Sequence, residues 1–307
     1  MDFKKIKTYS AQKRKTKVDL SALARAAKPG IKFSDFTDNL PDFLAVKALK
    51  ETVSSILKAR KAGRPIIWGL GAHVIKVGLS PLIVDLMKKG LVSCIATNGA
   101  GAIHDFELAT LGRTSEDVGV GLESGMFGMV EETQHDMNSA IAQIADPRYK
   151  PRGLGELLGE KLKTMKAPHR QLSLLYNACS QDIPVTVHVS IGCDTIHMSR
   201  HVEPRALGEA TFNDFKTLCS QLQKLEGGVY LNLGSAVLLP EVFLKALTVA
   251  RNLGSRVKNF TTANLDMIQH YRATQNVLVR PGGQHYALTG HHEILVPLLY
   301  QMLLEEA

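Results

Sequence analysis

Cysteine is scarce in this chain of 307 residues. Cys94, Cys179, Cys193 and Cys219 are far apart and form no C-x-x-C pair. That spacing argues against a disulfide framework and a zinc ribbon, and predicts a reducing, cytoplasmic setting. Aromatic residues make up only 6%, with a single tryptophan, so a stacking surface for nucleic acid is not evident. No apolar run reaches the roughly 18 residues of a membrane span. The opening residues "MDFKKIKTYSAQKRKTK" lack the apolar core of a signal peptide. Acidic residues are also missing there: residues 1–17 hold seven Lys/Arg and one Asp. The net charge of +8 therefore lies almost wholly in the tail, and the remaining 290 residues carry only +2. A basic RNA-binding face would spread its charge over folded structure, so the excess reads as a flexible, solvated tail over 1–17.

What the chain has in quantity is short apolar runs ending in small residues. "PIIWGLGA", "VSCIATNGAG", "IPVTVHVSIGCD", "VYLNLGSA" and "KNFTTANLD" read as strands, as does "QNVLVRPGG". Between them lie segments of helical period. "LPDFLAVKALKETVSSILKARKAG", "LSPLIVDLMKKG" and "LLPEVFLKALTVARNLG" each stop at a glycine. "AIHDFELATLG" and "HHEILVPLLYQMLLEE" read as helices, as do residues 131–145 and 153–181. "TFNDFKTLCSQLQKLEGG" reads as a helix capped by Thr211. The Gly- and Met-rich "GVGLESGMFGM" reads as a loop or edge strand. Apolar strands alternating with helices predict a Rossmann-like α/β fold, a mainly parallel sheet covered on both faces. No linker divides residues 18–307, so they are expected to form one domain.

In such a sheet the strands' carboxyl ends share an edge where ligands sit. "GLGAH", "TNGAGAIHD", "SIGCD" and "NLGSA" all fall at that edge. Glycines there allow close approach to backbone, and helix amino ends favour phosphate. Gly99 and Gly101 are expected to make room, with His104 and Asp105 facing what fills it. "GLGAHV" has two glycines of the dinucleotide fingerprint but Val74 at the third position.

The order and spacing of these segments, over residues 33–295, resemble the deoxyhypusine synthase family. "TNGAGAIHD" is similar to that family's T-G-A-N-x-x-H-D segment, "LGSAV" to L-G-G-G-V, and "TTANLD" to T-T-A-x-E-x-D. The resemblance implies an NAD-binding fold assembled as a tetramer. It puts Gly71, Ala72 and His73 at a first NAD turn, and Thr97, Asn98, Gly99, Ala100, His104 and Asp105 at a second. Asp194, Gly234, Ser235, Thr262 and Ala263 fall at later contacts. The family's nucleophilic lysine has no counterpart: after Lys258 the last 49 residues contain no lysine, and Arg280 offers no nucleophilic lone pair. Acidic residues for a polyamine are likewise not evident in "MIQHYRATQNVLV".

Eleven histidines supply further candidates. His197 and His201 are one helical turn apart in "HMSRH", with His188 on the preceding strand, but the zincin glutamate is absent. His285, His291 and His292 follow the last strand and could transfer protons. The leading expectation is an NAD-dependent enzyme acting on a small amine or amino acid. His104, Asp194 and His285 are its catalytic candidates, and deoxyhypusine is not made through a lysine imine. The alternatives are a non-catalytic nucleotide-binding assembly protein and a histidine-based metal hydrolase. No metal is assigned to any residue.

Overall fold

A computed structural model describes residues 1–306. Six strands lie in one sheet in the order β3-β2-β1-β4-β5-β6, and every neighbouring pair is parallel. They are β1 (Ile66–Leu70), β2 (Cys94–Asn98), β3 (Val185–His188), β4 (Val229–Leu233), β5 (Thr261–Asp266) and β6 (Gln284–Thr289). Strand order reverses between β1 and β4, as in doubly wound dinucleotide-binding folds. The Rossmann-like expectation holds.

Side-chain alternation explains why both faces are covered. On β1, Ile66, Trp68 and Leu70 enter one apolar cluster while Ile67 enters the other. β4 repeats this, with Val229, Leu231 and Leu233 on the first side and Tyr230 on the second. The first cluster takes the apolar faces of the helices Leu44–Lys61, Ser80–Lys88 and His292–Glu306. The second takes Leu218 and Leu222 of Pro204–Leu222, with Phe243 and Leu247 of Leu238–Asn252. Trp68 is fully buried, and its indole Nε1–H donates to the Leu91 carbonyl at 3.1 Å. Burying side chains of this size contributes about 1.5–3 kcal/mol each.

Four segments depart from the sequence reading. "QNVLV" is not a strand: Thr274–Val279 closes as a π-helical turn. Its consecutive residues Val277 and Leu278 both bury in the second cluster, which strand alternation forbids. The last strand is instead "QHYALT", an edge strand whose side chains are mostly exposed and therefore carry little apolar signal. Val118–Glu123 in the Gly-rich segment is a short helix capped by Asp117. Residues 153–181 form two helices, Leu154–Thr164 and Leu174–Ser180. The chain breaks between them where Lys166 adopts a positive φ of 52° ahead of Pro168. Finally, Pro204–Leu222 begins seven residues before Thr211, with Glu203 as its cap. Thr211 lies inside that helix and donates its hydroxyl to the Val187 carbonyl at 2.8 Å, tying helix to β3.

Residues 1–22 contain three short 3₁₀ turns, Phe3–Lys5, Ala11–Lys13 and Leu20–Ala22, with no buried side chain. No helix among the described residues is long and apolar enough to cross a membrane.

Candidate functional site

The turns after β1 and β4 meet at the point where strand order reverses. The Gly71 amide donates to the Leu233 carbonyl at 2.8 Å, and a Cβ on Gly71 would lie 2.2 Å from the Gly234 carbonyl oxygen. Gly71 is therefore glycine so that the two backbones can touch. Gly234 also has φ +68°, and a Cβ there would press on the His292 ring at 2.8 Å. His292 is buried, and its Nε2 lies 3.0 Å from the Leu265 carbonyl. A carbonyl only accepts, so Nε2 carries the proton and Nδ1 is left without a partner. His73 stands beside it, ring centroids 5.6 Å apart.

The turn after β2 is built differently. Thr97 donates its hydroxyl to the Leu70 carbonyl at 2.9 Å, and the Asn98 side chain caps the helix Gly99–Leu111 by accepting from Gly101 N–H at 2.8 Å. Gly99 leaves space, but not for a ligand: a Cβ there would fall 2.0 Å from Asp194 Oδ2. The Asp194 carboxylate, arriving from the loop after β3, fills the position at the helix amino end where a phosphate would otherwise sit. The Ala100 and Ser190 amides favour its charged form, yet Oδ2 has no hydrogen-bond partner. Burial pushes the Asp194 carboxyl up to about 6 against the pull of those two amides. His197 Nε2 is also buried without a partner, 3.8 Å from Asp194 Oδ2.

Beside Asp194 opens a cavity of about 480 Å³, a size typical of small-molecule sites. Lys76, Ala100, His104, Glu107, Arg113 and Asp194 are among its lining residues. His104 Nδ1 lies 2.6 Å from the Thr114 hydroxyl, which lies 2.5 Å from Glu107 Oε2. Burial, then the positive charge of Lys76, pulls the His104 imidazole down to about 4. Burial raises Glu107 above the usual carboxylate range, opposed by hydrogen bonds from Thr114 and Thr133.

Several residues chosen from sequence lie elsewhere. Asp105 faces away from the cavity, capping Leu174–Ser180: its oxygens accept from Ser173 Oγ at 2.5 Å, Leu174 N at 2.7 Å and Leu175 N at 3.0 Å. One step along the helix from His104, the chain turns its side chain to the opposite side. Ser235 accepts from the Leu239 N–H at 3.1 Å, in the first turn of the helix after β4. Thr262 and Ala263 are fully buried in the body of β5, below its carboxyl end. His285 pairs with Thr262 near the start of β6, and is exposed at the opposite edge of the sheet. It has no access to the cavity. His201 turns to Glu131, 3.1 Å away, so it shares no site with His197. No group of three His, Cys, Asp or Glu among the described residues could hold a metal ion.

The sequence reading missed Glu107, Thr114 and Arg113. Only the H-x-x-E spacing of His104 and Glu107, one helical turn, offered a signal.

The carboxyl edge of the sheet thus holds buried polar atoms that the protein leaves unpaired: Asp194 Oδ2, His197 Nε2, Asn232 Oδ1 and His292 Nδ1. Unpaired buried groups are costly, so a polar partner would gain most at this edge.

No protein-family model matches the chain, and no curated protein matches it. Solved structures share its fold. AgrE, crystallised with ornithine and NAD+, aligns with a TM-score of 0.57 at 14% identity, covering 85% of this chain and 33% of AgrE. ArgZ, an arginine dihydrolase from the ornithine-ammonia cycle in cyanobacteria, gives 0.53 at 18% identity, covering 84% of this chain and 31% of ArgZ. A candidate deoxyhypusine synthase from Entamoeba histolytica gives 0.54 at 12% identity, covering 89% of this chain and 93% of that one. The chain therefore spans about a third of ArgZ and AgrE. At these identities the likeness is one of fold.

The Asp194 carboxyl gives a signed prediction. Its folded value of about 6 lies above the ordinary 3.8, so the folded state holds this proton more tightly. The stability that this proton contributes is complete below pH 3.8 and is lost as pH rises through 6. Asp194→Asn, neutral throughout, should gain on the wild type by on the order of 2 kcal/mol between pH 4 and 8 in urea denaturation. A difference independent of pH would contradict the burial argument.

Proposed function

We propose that this protein is an NAD-dependent enzyme that acts on a small amine or amino acid. The observation that carries this is the joint placement, at the carboxyl edge of a 3-2-1-4-5-6 parallel sheet, of unpaired buried polar atoms and a cavity lined by His104 and Asp194. NAD-bound AgrE and the deoxyhypusine synthase candidate have the same fold, which supports the cofactor by analogy. On this reading Asn232 and His292 offer contacts to the cofactor at the β4 and β5 ends, and Ala100 leaves its near wall open. Gly71, Ala72, His73, Thr97, Asn98, Gly99 and Gly234 set the backbone that surrounds it. NAD, when bound, supplies a hydride acceptor for the carbon bearing the amine. Lys76 and Arg113 suit a substrate carboxylate, and Asp194 and Glu107 an ammonium group. His104 is the group that moves a proton.

Calorimetric titration with NAD should show saturable binding, weakened at least tenfold by Ala100→Trp, which fills the cavity wall. No heat with NAD, NADH or NADP at millimolar concentration would overturn the cofactor assignment.

A homo-oligomer, a tetramer by family resemblance, also belongs to this reading. Val120, Leu122 and Met126, in the segment whose Val118 and Phe127 line the cavity, are exposed apolar side chains, and so is Ile191 near Cys193. Such a patch is unusual on a free monomer surface. Light scattering should give a multiple of 33.6 kDa at micromolar protein; a mass of 33.6 kDa would contradict it.

The covalent lysine route of the resembled family is not expected. Lys76 is the lysine lining the cavity, and it stands on the first turn after β1 rather than in the carboxyl-terminal segment. Borohydride trapping with NAD, labelled spermidine and an acceptor protein should leave this chain unlabelled. A labelled lysine, Lys76 in particular, would overturn that.

A further inference from the structure

His104 and Glu107 stand one turn apart on the helix Gly99–Leu111, both toward the cavity. Their nearest approach, His104 Nδ1 to Glu107 Oε2, is 4.0 Å, too far for a direct hydrogen bond. Gly112, in the left-handed conformation, turns the chain back so that Thr114 comes between them. Its hydroxyl lies 2.5 Å from Glu107 Oε2 and 2.6 Å from His104 Nδ1, while Thr133 holds the other Glu107 oxygen at 3.3 Å.

The direction of these bonds follows from counting protons. A carboxylate has none to give, so the Thr114 hydroxyl donates to Glu107. The hydroxyl has a single proton, so toward His104 its oxygen can only accept. His104 Nδ1 must then be the nitrogen that carries hydrogen. Nε2 keeps its lone pair, and no hydrogen-bond partner among the described residues reaches it. The ring is half-buried against the cavity, so Nε2 is the nitrogen that the cavity can use.

We propose that Glu107 and Thr114 are positioning residues that hold His104 in the Nδ1–H tautomer, making its Nε2 a proton acceptor for an ammonium or hydroxyl group of a substrate in the cavity. The second half rests on the cavity being a substrate site, as proposed above; the tautomer does not. When Nε2 takes a proton the imidazolium keeps its Nδ1–H bond to Thr114, and the Glu107 carboxylate one hydroxyl away balances the new charge. The proton stays on His104. The other charged or titratable groups lining this cavity are Lys76 from the turn after β1, Arg113 and Glu116 from the loop after the helix, and Cys193 and Asp194 from the loop after β3. Lys76 opposes protonation of His104. A substrate carboxylate paired with Lys76 removes that opposition, so an amino acid strengthens its own base on arrival.

The test uses the intact protein labelled with nitrogen-15 in its histidines, without cofactor or substrate. Nitrogen chemical shifts should show His104 with a protonated Nδ1 and an unprotonated Nε2 from pH 5 to 8. Thr114→Val should abolish that preference, and Thr114→Ser, which keeps the hydroxyl, should retain it. A merely structural threonine would not distinguish the two. Lys76→Met should raise the pH at which His104 protonates. Diethyl pyrocarbonate, which attacks unprotonated imidazole, should modify His104 at pH 5.5, where ordinary histidines are largely charged. An Nε2–H tautomer in the wild type, or an unchanged one in Thr114→Val, would overturn the relay. Failure of His104 to react while the relay holds would overturn Nε2 as the accessible base. Neither result depends on whether NAD binds.

Discussion

β1 is hydrogen-bonded on both sides, to β2 through Ile67–Leu70 and to β4 through Ile66–Leu70, with all three strands running the same way. That double pairing is the constraint from which the rest follows. Parallel strands send every following turn to one edge, and β1 lies where the order of connections reverses. The turns after β1 and β4 are thereby pressed together, closely enough that only Gly71 lets them touch. The helix after β2 must start beside the loop after β3, which brings Asp194 over Gly99. The cavity opens on the far side of that contact, between the β2 helix and the loop that returns from it.

The electrostatics of the edge follow from the same packing. Three carboxyls, Asp105, Asp194 and Asp214, are buried near β2 and β3, and burial raises each, to about 6, 6 and 8. Asp105 and Asp214 each accept from two backbone amides: Asp105 from Leu174 and Leu175 of one helix, and Asp214 from Gly155 of a helix and Val187 of β3. They hold structure. Asp194 differs because Oδ2 is left over, beside the unpaired Nε2 of His197. A group that the fold buries and leaves unpaired is where a ligand has most to gain.

The sequence displayed the architecture well because strands buried on both faces are short and continuously apolar. β1, β2, β3 and β4 stand out in this way, whereas β5 is buried although four of its six residues are polar. β6 did not, since an exposed edge strand has no apolar run to display. The site was less legible. Glycine at a strand end marks close approach without saying of what: Gly71 meets backbone and Gly99 meets a carboxylate, and neither meeting can be read from one sequence. Adjacent helical residues also look alike on paper. His104 faces the cavity, yet Asp105, the next residue, is turned into the core to cap another helix 68 residues away. Thr114 was invisible because its role depends on the turn at Gly112 rather than on a motif. Family resemblance drew Thr262 and Ala263 into the site, and reading "QNVLV" as the last strand drew in His285, but the register of β5 against β6 sets them at the starts and middles of strands.

Which edge of the sheet receives the ligand is the decisive question. A crystal structure of the protein grown with NAD tests this directly. The cofactor should lie across the carboxyl ends of β1, β2 and β4, against Ala100 and within hydrogen-bond reach of Asp194 or His292. NAD bound at the amino edge near His285, or an edge left bare at saturating NAD, would contradict it.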